Sequence, residues 1–331
     1  EDPKKSKGIV KRGVKELITP GVSANDKTLD SRSNNYLASI FESKTSIGVA
    51  FTDLSTGEFL VAQGNQIYIE KLIKSIQPTE TIISKNYRKK FSSIFGDDFY
   101  TYPIDPWFFE EEYSKEQLFK HFNTETLKGF GISHMDDSVI AAGAIIHYLN
   151  QSHHVDLEHI SSIKRIDEQE FVWIDSFTLQ NLEIIESNHP NGISLLEIID
   201  QTLSPMGSRL MRNWLLFPLL DVNQIISRQD AIGYILSDDD FSSNLNAEIT
   251  KIGDLERIIS KVALKRINPR ELLQLSSALK SIQNIKNKCQ SIDHKSIQRY
   301  SSTLNENKDI IELIDLHISL EAPVVTSKGG I

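Results

Sequence analysis

The side chains with chemistry to offer in this sequence are a few carboxylates, a histidine cluster and one thiol. Asp53 closes the apolar run 46–54, read as the first strand. Ser55-Thr56-Gly57 and a second run, 58–63, follow it. Two-metal phosphodiester chemistry needs several carboxylates converging on the cations. Glu70, Glu80 and Asp136 are the companions available to Asp53, and none lies in a second motif. The simpler account is that Asp53 and Ser55 cap the hairpin turn, which suits both side chains. His153, His154 and His159 cluster around Asp156 and Glu158. A metal could use His154 and Asp156, but the segment reads more simply as a hydrated joint. Cys289 stands beside Lys286 and Lys288, neighbours that would lower a thiol pKa, yet no motif surrounds it. The sequence has no Walker loop, dinucleotide fingerprint or Gly-x-Ser-x-Gly elbow.

The elements that must position these residues fall into two kinds. Up to Asn150 the pattern is α/β. Residues 29–41 read as a short helix or an extended lead-in. Runs 46–54 and 58–63 form a hairpin. Ile69, Leu72, Ile73 and Ile76 recur at i, i+3, i+4 and i+7, so residues 66–76 form a one-faced helix. Strands are expected at 81–84 and 98–102, and helices at 116–122 and 138–149. This is a sheet with helices packed on it. Residues 151–158 are polar and look like a joint, and 163–173 hold two short strands. Beyond Ser176 nearly everything has helical period: 195–203, 205–216, 222–236, 254–264, 269–286 and 310–320. Asn268-Pro269 is an N-cap followed by Pro at the first helical position. Residues 9–18 read as a strand or linker belonging to something upstream. No fixed-period repeat is visible.

Two cationic constellations stand on the predicted helices. Arg209 and Arg212 project at i, i+3 and could hold their helix against a neighbouring domain. Arg257, Lys261 and Lys265 fall at i, i+4, i+8, opposite Leu255, Ile258, Ile259 and Val262. Like charges so spaced cost a few tenths of a kcal/mol per pair. A solvated face is the plain reading; an acidic helix or a phosphate backbone is the alternative.

Composition bounds the rest. At 331 residues the chain is sized for about two domains. Its 39% hydrophobic and 24% charged content is that of a globular protein. The net charge of −9 divides as −2 over residues 1–150 and −7 over 151–331, which argues against a wholesale nucleic-acid coat. One cysteine excludes an internal disulfide and fits a reducing compartment. The longest apolar run, 139–146, is far short of the roughly 20 residues of a membrane span, and no secretory h-region is visible.

Several segments together resemble the bacterial MutS DNA mismatch-repair family. They are Ile18-Thr-Pro-Gly-Val22, Asp53-Leu-Ser-Thr-Gly-Glu-Phe59, Phe171-Val-Trp-Ile-Asp-Ser-Phe-Thr-Leu-Gln-Asn-Leu-Glu-Ile184, Ser204-Pro-Met-Gly-Ser-Arg-Leu-Met-Arg-Asn-Trp-Leu-Leu-Phe-Pro218, Arg228-Gln-Asp-Ala-Ile232, Gly253-Asp-Leu-Glu-Arg-Ile258 and Asn268-Pro-Arg-Glu-Leu272. Each is modest alone; the ordered set is specific and covers nearly the whole chain. The resemblance implies that residues 1–24 are the linker and last strand of a mismatch-reading domain. It implies that 25–150 are an α/β connector domain with a ribonuclease-H-like mixed sheet and flanking helices. Residues 151–331 would be the first part of an all-α core, or lever, domain.

By the same resemblance the segment transmits between mismatch-binding, clamp and ATPase domains, and MutL docks on the connector, with Glu116 and Gln117 as candidate contacts. Arg209, Arg212, Arg257, Lys261 and Lys265 are candidate interdomain or DNA-backbone contacts. The family's Phe-x-Glu wedge is absent; Phe109-Glu110-Glu111 lies inside the connector and does not match. ATP and Mg, mismatched duplex DNA and homodimer formation belong to the full-length family. The segment, an internal piece of a cytoplasmic protein, is expected to hold no cofactor and to catalyse nothing alone. The alternative is a divergent ribonuclease-H-like nuclease using Asp53 as a metal ligand.

Overall fold

A strand covered on both faces needs an apolar run without alternation, and Ile47–Asp53 is such a run, buried at every position. The computed structural model, which describes residues 19–23, 29–152, 157–324 and 329–330, places it second in a mixed six-stranded sheet. The strands are β1 Leu37–Glu42, β2 Ile47–Asp53, β3 Glu58–Gly64, β4 Glu80–Ser84, β5 Thr101–Ile104 and β6 Lys164–Arg165, in spatial order β5-β4-β1-β2-β3-β6. The β1–β2 and β2–β3 pairs are antiparallel, and β4, β5 and β6 join in parallel. The turn after β2 closes through Thr56 and Gly57 N–H donors to the Asp53 carbonyl at 3.2 and 2.8 Å.

Helices cover both faces of this sheet: α1 Gln66–Ile76 and α2 Arg88–Phe95 on one, α3 Glu111–Phe122 and α4 Asp136–Gln151 on the other. One core gathers Ile69, Leu72, Ile73, Phe91 and Phe95 over Phe51; the other gathers Ile140, Ile145, Ile146 and Leu118 over Val61 and Phe59. Two glycines permit the close approaches. A Cβ on Gly48 would stand 2.0 Å from the Asp137 carbonyl carbon, and one on Gly143 would stand 2.4 Å from Ser114 Cβ.

Segment 19–22 docks on the same sheet. Gly21 N–H donates to Glu80 Oε2 at 2.9 Å, the Thr19 hydroxyl donates to the same oxygen, and Tyr148 OH donates to Oε1 at 2.9 Å. Glu80 is fully buried and satisfied by these donors.

Beyond β6 the chain is helical: α5 Ser176–Asn181, α6 Leu195–Ile199, α7 Pro205–Leu216, α8 Val222–Ser237, α9 Asp239–Ile252, α10 Leu255–Ala263, α11 Pro269–Gln290, α12 Lys295–Ser302 and α13 Lys308–His317. The long α11 is the spine, opened by an Asn268/Glu271 capping box with Pro269 in its first turn. Two small cores flank it. Ile258, Leu275, Leu279, Ile311 and Ile314 form one; Ala231, Phe241, Cys289 and Ile297 form the other. Among the described residues no helix is long and apolar enough to cross a membrane.

The α/β-then-helical order stands as read from the sequence, and several boundaries do not. The lead-in 29–41 is extended and ends in β1, so Asp53 closes the second strand rather than the first. The strand expected at 98–102 sits at Thr101–Ile104. The helix expected at 116–122 starts at Glu111, with Glu111 and Glu112 in its first turn where the dipole favours them. Helix 195–203 stops at Ile199. The expected elements do not include α2 or α12; at the start of α9, Asp238 caps the Phe241 N–H. The reading of residues 9–18, and the metal reading of His154 and Asp156, lie outside the described residues.

Candidate interdomain interface

Asp53 serves the hairpin and the strand before it. Its Oδ1 accepts from Ser55 N–H and Oγ at 2.8 and 2.7 Å, and its Oδ2 from Asn34 Nδ2 and Asn35 N–H at 3.0 and 3.1 Å. The companions a nuclease would need lie elsewhere. Glu70 pairs with Lys74, Asp136 lies 3.4 Å from Lys115, and Glu80 holds segment 19–22. The turn-capping account of Asp53 therefore replaces the nuclease alternative. Glu58 does approach, because Asn34 Nδ2 also reaches its Oε2 at 3.4 Å. Tyr36 OH donates to the same oxygen at 2.6 Å. Burial pushes the Glu58 carboxyl up, against the Tyr36 hydrogen bond, and pushes the Tyr36 phenol well above its usual range.

The segment leading into β1 is gripped by the helical domain. Arg209 on α7 is 3% exposed. It donates to the Ser31 carbonyl at 2.8 Å, to both oxygens of Asp254 at 2.9 and 2.7 Å, and to Glu256 Oε2 at 2.6 Å. Asp254 caps α10 by accepting from the Arg257 N–H. Arg257, 4% exposed, donates from one nitrogen to the carbonyls of Asp30 and Ser33 at 2.7 and 3.0 Å. Arg32 reaches back to Asp200 at 3.3 Å. Burial works against the Arg209 charge, but hydrogen bonds to Asp254 and Glu256 hold its pKa above the ordinary value. A guanidinium suits this task because its planar fork matches carboxylate and carbonyl oxygens at once.

This geometry inverts the solvated-face reading of α10. The cationic side faces the neighbouring domain and α11, while Ile259 and Val262 are 51% and 43% exposed. Lys261 pairs with Glu271 of α11 at 2.6 Å. Lys265 lies past the helix end with φ of 54°, so it does not continue the row. The i, i+4, i+8 spacing could not reveal this, because the partners are main-chain carbonyls more than 200 residues away.

An aromatic seam continues the contact. Tyr68 of α1 meets Trp173 edge-on at 4.9 Å, and Trp173 and Phe171 pack on Phe217 at 5.7 and 5.8 Å. Tyr68 OH donates to the Ile166 carbonyl at 3.1 Å, just after β6 pairs with β3. Arg212, one turn from Arg209, lines cavities between the domains, and burial lowers its pKa against the pull of Glu186 and Asp30.

The other singled-out residues lie apart. Glu116 and Gln117 sit on the outer side of α3, exposed and half-buried. A His159 ring nitrogen donates to the Leu54 carbonyl at 2.9 Å. Among the described residues no three His, Cys, Asp or Glu side chains are grouped to hold a metal. Burial raises the Cys289 thiol pKa, the reverse of the expected lysine effect. Lys286 turns to Glu306, and Lys288 turns to Asn244. The acidic partners Asp254 and Glu256 went unread as such, although both lie in the Gly253–Ile258 motif quoted for its resemblance.

Known proteins give this arrangement a family. The MutS domain II family matches residues 35–161, and the MutS domain III family matches residues 177–331. The DNA mismatch repair protein MutS of Phocaeicola vulgatus is 44% identical over 331 residues, all of this chain and 38% of that protein. The MutS proteins of Flavobacterium johnsoniae and Bacteroides fragilis are each also 44% identical, over the same shares. The chain thus spans 38% of the length of these curated relatives. With domain II forming the sheet and domain III the helices that grip its lead-in, the chain belongs to the MutS family.

Proposed function

We propose that this segment couples its two domains mechanically inside a mismatch-recognition protein, passing position between mismatch-binding, clamp and ATPase parts. The observation that carries the reading is the pair of buried arginines, Arg209 and Arg257, bonded to main-chain carbonyls of residues 30–33. Bonds to backbone fix where a neighbouring domain sits, and buried charges with several partners tolerate little displacement. Mismatched duplex DNA, ATP with Mg and a second subunit would be engaged by the full-length protein, and the segment alone would hold no cofactor and catalyse nothing. In the full-length protein, Arg209→Ala with Arg257→Ala should raise the mutation rate toward that of a null strain at wild-type protein level. An unchanged rate would reject the coupling role.

The same reading places a MutL contact on α3. Exposed Glu116 and neighbouring Gln117 support it by position. Capture of MutL by the chain should fall on Glu116→Lys, and equal capture by the variant would remove this surface from consideration.

A further inference from the structure

The cleft between the two domains holds a cavity of about 550 Å³, within the range of small-molecule sites, which favour domain interfaces. Its wall has a definite chemistry. Lys164, Arg165, Arg212 and Arg228 face three carboxylates, Asp30, Glu58 and Glu186. Arg165 is already paired with Asp167. Arg228 lies over the Trp214 ring at 3.9 Å. Arg212 makes no ion pair or hydrogen bond among the described residues, although it is half-buried on the cavity wall. Burial lowers its pKa against the longer-range pull of Glu186 and Asp30. Glu58, the sheet carboxylate on this wall, already accepts the Tyr36 hydroxyl. Aromatic rings complete the wall: Tyr36, Phe171, Trp214 and Phe217.

We propose that this interdomain cavity binds a small aromatic anion of the nucleoside monophosphate class, its phosphate on Arg212 and Lys164 and its ring against the Phe171–Phe217 wall. The site is distinct from the arginine grip, since Arg209 and Arg257 are spent on Asp254, Glu256 and the 30–33 carbonyls. Because both domains line the cavity, an occupant would also favour their closed arrangement by mass action.

Isothermal titration calorimetry of the chain tests this with AMP, adenosine, inorganic phosphate and a single-stranded oligonucleotide. The expected result is AMP binding tighter than about 1 mM, with adenosine and phosphate each at least about tenfold weaker. Arg212→Gln should weaken AMP binding at least about tenfold, and exposed Lys164→Ala severalfold, with the unliganded melting temperature of Lys164→Ala unchanged. Lys164→Ala decides the question if Arg212→Gln does not fold. The proposal fails if AMP gives no heat at that concentration or if both variants bind AMP as wild type does. It also fails if phosphate matches AMP, which would mean an adventitious ion only, or if the oligonucleotide binds more tightly with the same Arg212 dependence.

Discussion

Arg209 on α7 and Asp254 at the start of α10 meet through two hydrogen bonds, at 2.7 and 2.9 Å, with the guanidinium almost wholly out of water. Asp254 also caps α10 and so fixes where Arg257 emerges. One carboxylate therefore orients both arginines that hold residues 30–33.

Removing one partner of such a buried pair leaves an uncompensated charge. Arg209→Ala should cost about 3–5 kcal/mol, read by urea denaturation. Asp254→Asn keeps the cap but halves the charge pairing, and should cost less than Arg209→Ala. Equal stabilities of wild type and Arg209→Ala would show that the pair is energetically idle.

Stability should fall as pH drops through the histidine range. His121 donates from Nε2 to the Ile160 carbonyl at 2.8 Å, and burial lowers its pKa from the ordinary 6.5. Burial lowers His147 as well, against a Gln151 hydrogen bond. The unfolded chain thus binds protons that the folded chain refuses. The contribution is fully present above about 6.5 and is lost as pH falls from there toward the folded values. Thermal melts at pH 8 to 5, about the histidine range, should show this slope, and His121→Gln should flatten it. A slope of opposite sign would contradict the burial argument.

Two glycines should respond oppositely to alanine. Gly48→Ala drives a Cβ to 2.0 Å from the backbone of α4's first turn, so an overpacking cost of about 3 kcal/mol or more is expected. Gly233, inside α8, has nothing within 4 Å of its would-be Cβ, so Gly233→Ala should gain about 0.5–1 kcal/mol. Chemical denaturation of both variants checks the pair. Similar effects would mean that the α4–β2 approach is looser than described.

Cys289 should ignore thiol reagents in the folded state. It is buried in the Ala231–Phe241–Ile297 core with its pKa raised. Reaction with a chromogenic disulfide should begin only with unfolding. Prompt reaction in native buffer would expose an opening of α11 against α12.

The parts of this fold legible in the sequence are those set by local pattern. The 66–76 helix shows in the spacing of Ile69, Leu72, Ile73 and Ile76, and the Asn268-Pro269 pair marks the start of α11. Asp53 was legible as a turn cap for the same reason, since Ser55 is two residues away. What could not be read depends on distant partners. Arg257 looks solvated beside Lys261 and Lys265 until the 30–33 carbonyls are brought to it. Short α2 was hidden because its first residues, Arg88, Lys89 and Lys90, look like a loop. Only Phe91 and Phe95, at i, i+4, betray its buried side. Cys289 shows how a local cue misleads: the lysines beside it in sequence point elsewhere in space.

The most direct test of the grip asks whether the two domains lose their fixed relation when both arginines go. Spin labels on exposed Lys89→Cys in α2 and Asp309→Cys in α13 report the interdomain distance by pulsed electron resonance. The wild-type background should give one narrow distance distribution. Arg209→Ala with Arg257→Ala should broaden it while far-ultraviolet circular dichroism stays unchanged. An equally narrow distribution in the double variant would contradict the account.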